Sequence, residues 1–266
     1  MLPIFSFLGF LAAFLFGVIA VFLSVKEDKN RKLSVELEAK REDLTHSIIH
    51  ELRAPLSAIK DSAELMLSDK TPLAKEEQEQ YLKIIHDKSK MLLDQVGSLL
   101  DAAKLEAGKF TINKSEGNII DIIKERMIAF GPQAKKKEIN LMLSTNDPIP
   151  PFAFDHVRIS QVINNLLSNS LKFTKNGGKI TITALQKDKG IEVSIYDDGI
   201  EIPKDDQKNL FSKFKQASNI PQELAKEGTG LGLYVVKGIV EAHGGTVGVK
   251  SNPGDGTTIF FTLPVK

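Results

Sequence analysis

The 266-residue chain contains no cysteine. That absence removes disulfides, thiolate nucleophiles and Cys-ligated metal from the available chemistry, and it suits a reducing compartment. Charge bias is missing too. Thirty-five Lys and Arg stand against 34 Asp and Glu, a net of +1, which gives no basic surplus of the kind that binds nucleic acid. Residues 1–25 carry no charged side chain and are rich in Phe, Leu, Val, Ala and Ile. At about 1.5 Å per residue, a helix of that length spans a hydrocarbon core of roughly 30 Å. No basic residue precedes the run, and it is too long for the apolar centre of a typical cleaved leader, so a retained transmembrane helix is expected. Lys26, Lys29, Arg31 and Lys32 follow directly and place the rest of the chain on the cytoplasmic side of an inner or cytoplasmic membrane, single-pass, with the amino terminus outside. About 240 residues remain, enough for one α/β domain and a helical piece.

What is present begins with two apolar stripes. Ile49, Leu52, Leu56, Ile59, Ala63 and Met66 recur at spacings of three and four, which predicts a helix packed in a bundle over 44–68. Leu82, Ile85, Ser89, Leu92, Val96, Leu99 and Ala103 repeat the pattern, and Ser68, Asp69, Lys70, Thr71 and Pro72 between them supply turn residues. The pair reads as a helical hairpin over 44–108. Two such helices cannot cover their shared stripe alone, so a homodimeric four-helix bundle is the expected completion, with packing onto the same chain as the alternative.

His50 sits one position from Ile49, on the flank of the first stripe, with Glu51 beside it and Pro55 a turn later. Imidazole titrates near pH 6.5, so a neutral nucleophilic fraction exists at physiological pH, and the Glu51 carboxylate can take the proton that a phosphoryl group displaces. Pro55 has no N–H for the Glu51 carbonyl and should loosen the helix just after the histidine. Taken alone, this stretch would read as a solvated helix face.

From Phe110 onward the pattern is mixed. Ile139–Leu143, Ile180–Ala184 and Ile191–Tyr196 read as strands. Asp155 is a plausible N-cap for a helix over Val157–Phe173 with an apolar arc of Ile159, Val162, Ile163, Leu166, Leu167 and Leu171. Asn165, Asn169 and Lys172 fall in one stripe on the other face, because steps of four and three return to nearly the same angle. Amide oxygens are hard ligands suited to Mg²⁺, and an ammonium meets phosphate as a point charge. Polar surface is the plain alternative. Tyr196-Asp197-Asp198-Gly199 ends a strand in a carboxylate able to accept the exocyclic amine of adenine. Gly228-Thr229-Gly230-Leu231-Gly232 opens a helix expected over Tyr234–Ala242, where close backbone approach and free N–H groups favour phosphate. Neither the strand-first spacing of a dinucleotide fingerprint nor the Gly-Lys-Ser/Thr ending of a P-loop is there.

In this order the segments resemble a sensor histidine kinase of two-component systems, over nearly everything after residue 40. His50 to Pro55 looks like the H-box, Asn165 to Phe173 the N-box, Asp197 to Pro203 the first G-box, Leu210 to Phe214 the F-box and Gly228 to Leu233 the second G-box. The resemblance implies an α+β fold: a transmembrane anchor (1–25), a linker helix (26–43), a dimerisation and phosphotransfer hairpin (44–108), and an α/β-sandwich ATP-binding domain of Bergerat type (109–266). It implies ATP and Mg²⁺ as cofactors, with His50 and Glu51 catalytic. Nucleotide contacts would come from Asn165, Asn169, Lys172, Asp197, Gly199, Gly228, Thr229, Gly230, Leu231 and Gly232. Asn169 would ligate the metal, Asp197 recognise adenine and Lys172 meet phosphate, while 204–227 would form a mobile lid. His50 would pass its phosphoryl group to an aspartate on a response regulator receiver domain.

Three residues depart from that pattern. Ala54 stands where members that dephosphorylate their partner carry Thr or Asn. Glu201 stands where a second glycine is usual, and is expected to crowd the nucleotide or stiffen the lid hinge. Gln216 replaces a basic residue after the F-box, with Lys213 and Lys215 near enough in sequence to substitute. No room is evident for an extracytoplasmic sensor or a PAS-like module, so the signal is read by the membrane segment or a partner, or the chain is truncated. The competing function is a dimeric scaffold or partner-dependent kinase whose nucleotide turnover Glu201 has spoiled. An ATPase of the gyrase or mismatch-repair kind would need a carboxylate where Asn165 stands.

Overall fold

The computed structural model describes residues 49, 52–68, 73–145, 148–187, 190–225 and 228–265. The expected anchor, the linker, His50 and Glu51 lie outside these residues. Among the described residues no helix is long and apolar enough to cross a membrane.

Helix α1 covers residues 52–66, and α2 (Lys75–Glu106) is the next helix. The Glu77 carboxylate accepts the Ala74 N–H at 2.9 Å, satisfying one of the donors that a helix start leaves free. Within one chain the expected bundle face is only partly covered, since Leu56 and Leu82 are each more than half exposed and Val96 is 42 % exposed.

Beyond the hairpin come β1 (Ser115–Gly117), α3 (Ile119–Lys136), β2 (Asn140–Thr145), β3 (Phe152–Phe154), α4 (His156–Phe173), β4 (Lys179–Lys187) and β5 (Gly190–Asp197). The short helices α5 (Lys204–Gln207) and α6 (Gln222–Ala225) lead to α7 (Gly232–Ala242), β6 (Val247–Asn252) and β7 (Gly256–Leu263). β1 pairs with β3 in a small ribbon, and the other five strands form a sheet in the order β2-β4-β5-β7-β6. Only β2 and β4 run parallel.

Alternation builds the core. On β5 the residues Ile191, Val193, Ile195 and Asp197 are buried while their neighbours are half-buried, so one sheet face meets the helices. The α4 arc of Ile159, Val162, Ile163, Leu166, Leu167 and Leu171 is at most 5 % exposed and covers that face. Each such side chain stabilises the fold by about 1.5–3 kcal/mol. Asp155 caps α4 as expected, its Oδ1 accepting the Arg158 N–H at 3.0 Å, although the helix begins one residue early at His156. Helix α7 likewise begins at Gly232 rather than Tyr234. Leu231 at its N-cap is fully buried, so the chain turns into the helix as soon as the glycine loop ends.

His243 joins these pieces. Its Nδ1–H donates to the Ile239 carbonyl at 2.8 Å and its Nε2 accepts the Asp155 N–H at 3.0 Å, which requires a neutral ring. Burial holds its pKa below the usual 6.5. The unfolded chain therefore binds this proton more readily than the folded one. The contribution is intact above about pH 6.5 and is lost as pH falls through the lower folded value. Thermal midpoints measured between pH 7.5 and 5 should show a pH-dependent loss of stability that is smaller in His243→Gln than in the parent.

Candidate active site

A cavity of about 1000 Å³ is lined by α4, the end of β5, the 200–232 segment and one side of α2 and α3. It brings together Asn165, Asn169, Lys172, Asp197, Gly228, Thr229, Gly230 and Gly232, which are scattered over the sequence. Gly199 and Leu231 are not in its wall. Gly199 supports Asp197 from behind, and the Leu231 side chain lies in the core while its N–H donates to Thr229 Oγ1 at 3.2 Å.

Asp197 is buried because strand alternation carries it onto the core face, one step beyond Ile195. Ser170 Oγ donates to its Oδ2 at 2.8 Å and the Gly199 N–H to its Oδ1 at 3.2 Å. Burial pushes its carboxyl up to about 6 in spite of those two hydrogen bonds, which act in the opposite direction. The result is a carboxylate at neutral pH held where water solvates it poorly, an acceptor suited to an amine donor from a ligand. Gly199 leaves space for it: a Cβ there would come within 2.5 Å of the Phe173 carbonyl oxygen and 2.8 Å of Asp197 Oδ1.

The glycine-loop end of the cavity is shaped by backbone. Gly230 has φ 64, and a Cβ on it would lie 2.6 Å from the Phe214 carbonyl carbon. Its carbonyl accepts the Phe214 N–H at 3.0 Å, tying the glycine loop to the F-box. Gln216 Nε2 donates to the Gly228 carbonyl, so the amide at the departure position closes the same loop. Lys215 pairs with Asp206 at 3.2 Å and lines the cavity. Asp206 also accepts Ser218 Oγ and N–H at 2.7 Å each, and these Ser218 bonds, then Lys215, hold its carboxyl down to about 2. Lys213 does not substitute there. It pairs with Glu106 of α2, lies 5.1 Å from the Tyr234 ring centroid and is not among the cavity-lining residues.

Glu201 is at the cavity rim, but its carboxylate accepts the Gly254 N–H of the β6–β7 turn. Its carbonyl accepts Asn219 Nδ2 at 2.7 Å. Glu201 is thus held by the β6–β7 turn through its carboxylate and by Asn219 through its carbonyl.

Ser170, whose role depends on a contact 27 residues away, and the α2 and α3 walls follow no local pattern that could have marked them. Four polar atoms on the cavity-lining residues are buried without a partner: Asn165 Nδ2, Asn164 Oδ1, Gln95 Oε1 and Arg126 Nε. An unsatisfied group of this kind costs about 1–3 kcal/mol, which a polar ligand or water would recover. The set fits a purine nucleotide, with an acceptor for the base and a glycine cradle with an ammonium and amides for the phosphates. It also fits Mg²⁺. Among the described residues no group of three or more His, Asp or Glu could hold a metal, and an ion carried largely by phosphate oxygens needs only an amide such as Asn169.

Family models agree with this geometry. Residues 40–108 match the His Kinase A (phospho-acceptor) domain, and residues 154–266 match the Histidine kinase-, DNA gyrase B-, and HSP90-like ATPase. A phosphoacceptor hairpin joined to an ATP-binding α/β domain is thereby defined. The chain belongs to the sensor histidine kinase family, the ATP-dependent protein-histidine kinases. It is 34% identical over 236 residues to the Non-motile and phage-resistance protein of Caulobacter vibrioides, covering 86% of this chain and 27% of that protein. It is 31% identical over 248 residues to the Sensor histidine kinase GacS of Pseudomonas protegens, covering 90% of this chain and 26% of that one. The chain thus spans about a quarter of the length of these relatives. Full-length ShkA in complex with AMPPNP superposes with a TM-score of 0.62 at 26% identity, covering 84% of this chain and 46% of that one.

Asp197→Asn should abolish nucleotide binding and raise the thermal midpoint at pH 7.5. The parent's ionised carboxylate is costly above pH 6, and that cost fades as pH falls from about 6 towards 3.8. The gain should be on the order of 1–3 kcal/mol at pH 7.5 and near zero at pH 4.

Proposed function

We propose that the chain is a membrane-anchored sensor histidine kinase that phosphorylates His50 from Mg-ATP and donates the group to an aspartate of a response regulator receiver domain. The observation that carries the reading is the convergence of buried Asp197, the Asn165–Asn169–Lys172 stripe and the Gly228–Gly232 loop on one cavity. ATP is the phosphoryl donor. An imidazole nitrogen of His50 forms the N–P bond as the bond to the β-phosphate oxygen breaks, ADP leaves, and Glu51 takes the ring proton. Asp197 fixes the base, while Lys172, Thr229 and the loop N–H groups orient the phosphates. Mg²⁺, held by Asn169, would supply charge neutralisation on the triphosphate. The transition state of phosphoryl transfer is loose, so these positioning residues carry most of the catalysis.

The partition into anchor 1–25, linker 26–43, hairpin 44–108 and catalytic domain 109–266 belongs to the same proposal, as does a homodimer. The exposed leucines on α1 and α2 support a second copy completing a four-helix bundle. The anchor rests on the apolar run of residues 1–25 and on the basic residues after it.

Incubation of the parent with Mg-ATP should yield an acid-labile phosphoryl group that His50→Gln eliminates, and a parent that takes up none would refute the kinase reading. The scaffold alternative predicts that Glu201→Gly creates nucleotide binding absent from the parent. With the Glu201 carboxylate held by Gly254, the parent should instead bind a fluorescent ATP analogue, and Glu201→Gly should change its affinity by less than about threefold, under 1 kcal/mol. Ala54→Thr should add dephosphorylation of the regulator, read as a faster loss of its acyl phosphate.

A further inference from the structure

The polar face of α4 does not end at Asn165. Arg158, Gln161, Asn165, Asn169 and Lys172 follow one another at steps of three, four, four and three, so the stripe facing the cavity continues into the first turns of the helix. There it is gripped by the hairpin. Asp101 of α2, 6 % exposed, accepts Arg158 Nη1 at 2.9 Å and Gln161 Nε2 at 2.8 Å on the same oxygen, Oδ2. Arg158 Nη1 also donates to Gln161 Oε1 at 2.9 Å, which closes a three-membered ring of contacts. The guanidinium stands 4.7 Å from the Phe110 ring centroid, which restricts it from another side. One turn further along α2, Leu105 lies against Gly238 of α7, where a Cβ would meet its Cδ1 at 2.3 Å.

Contrast the rest of the α2–α4 surface. On the same side, Gln95 Oε1 of α2 and Asn164 Oδ1 and Asn165 Nδ2 of α4 are buried without partners, and all three residues line the cavity. Gln95 is six residues from Asp101, and Asn164 and Asn165 are three and four from Gln161. The two helices are therefore bonded at one end and open at the other. Unsatisfied amides on both sides favour an arrangement that supplies them with partners.

We propose that Asp101 is a positioning residue for autophosphorylation: with Arg158 and Gln161 it forms the pivot that sets the nucleotide-bearing face of α4 against the hairpin that carries His50. The proposal rests on the kinase reading. α2 is one continuous helix from Lys75 to Glu106, so movement of the hairpin reaches α4 through this joint. Asp101 is not itself in the wall of the cavity, so it acts through α4 rather than on the nucleotide. A break in the joint should leave the nucleotide pocket intact and reduce productive approach to His50.

The test uses the full chain in detergent micelles or vesicles, with parent, Asp101→Asn and Asp101→Ala compared. Three quantities are read: affinity for a fluorescent ATP analogue, thermal midpoint, and the rate of acid-labile phosphate incorporation at saturating Mg-ATP. The expected result is affinity within about twofold of parent in both variants, with the rate reduced about tenfold or more in Asp101→Ala and by less in Asp101→Asn, which keeps the side-chain shape. Tenfold corresponds to about 1.4 kcal/mol of barrier. A rate in Asp101→Ala within twofold of an active parent, or a faster one, overturns the pivot. So does a loss of affinity in parallel with the rate, which would make Asp101 merely structural. A parent that takes up no phosphate refutes the kinase reading and removes this proposal with it.

Discussion

The site depends on one constraint, that α4 be fixed in rotation about its own axis. Its apolar arc, from Ile159 to Leu171, is almost wholly withdrawn from solvent against the sheet. On a helix of 3.6 residues per turn, that leaves one direction for Asn165, Asn169 and Lys172. A rotation of one residue, about 100°, would place an asparagine in the core and a leucine in the cavity, at a cost of several kcal/mol for the misplaced pair. Packing energy therefore aims the amides. The Asp155 cap fixes the helix start, and Ser170 on the same helix reaches Asp197.

The same logic makes the centre of the site expensive. Asp197 occupies a core position of β5 where a hydrophobic residue would stabilise the fold, and burial raises its pKa instead. Ser170 and the Gly199 N–H offset part of that cost. Asn164, Asn165, Gln95 and Arg126 each bury a polar atom without a partner. These four residues line one cavity, as expected of a pocket preorganised for a polar ligand at the expense of stability, while His156, Thr174 and Thr181 bury unpartnered atoms elsewhere.

Elements with strong periodicity were legible in the sequence. The α4 arc, its Asp155 cap and the strands β4 and β5 could be read because burial repeats at the period of the backbone. Their ends shifted by one to three residues, where caps and neighbouring turns decide. The glycine loop was legible for a different reason, since Gly230 requires a positive φ that a side chain resists. Tertiary contacts were not legible. Nothing in the order of residues pairs Ser170 with Asp197 or Glu201 with Gly254, and nothing directs Lys213 to Glu106 rather than to the cavity. Such choices depend on which surfaces the fold brings together, and local pattern carries no record of them.

Residues 213–216 illustrate how far those contacts reach. Lys213 ties the F-box to Glu106 at the end of α2, and the next residue, Phe214, at φ 58, donates its N–H to Gly230. Two residues later Gln216 holds Gly228. Hairpin, F-box and glycine loop are thus joined by consecutive short links. The phosphate binding proposed for Gly228–Gly232 and the position of α2 therefore bear on the same few residues. By linkage, a hairpin arrangement that favours the closed loop must itself be favoured by nucleotide, to the same extent in free energy. Lys215 adds an electrostatic step, because its partner Asp206 also anchors Ser218. A phosphate that attracts the Lys215 ammonium would weaken one of the two holds on that carboxylate and leave the Ser218 hold in place. Under the proposed function, the segment around Lys215 would respond to the triphosphate while Ser218 keeps its seat on Asp206.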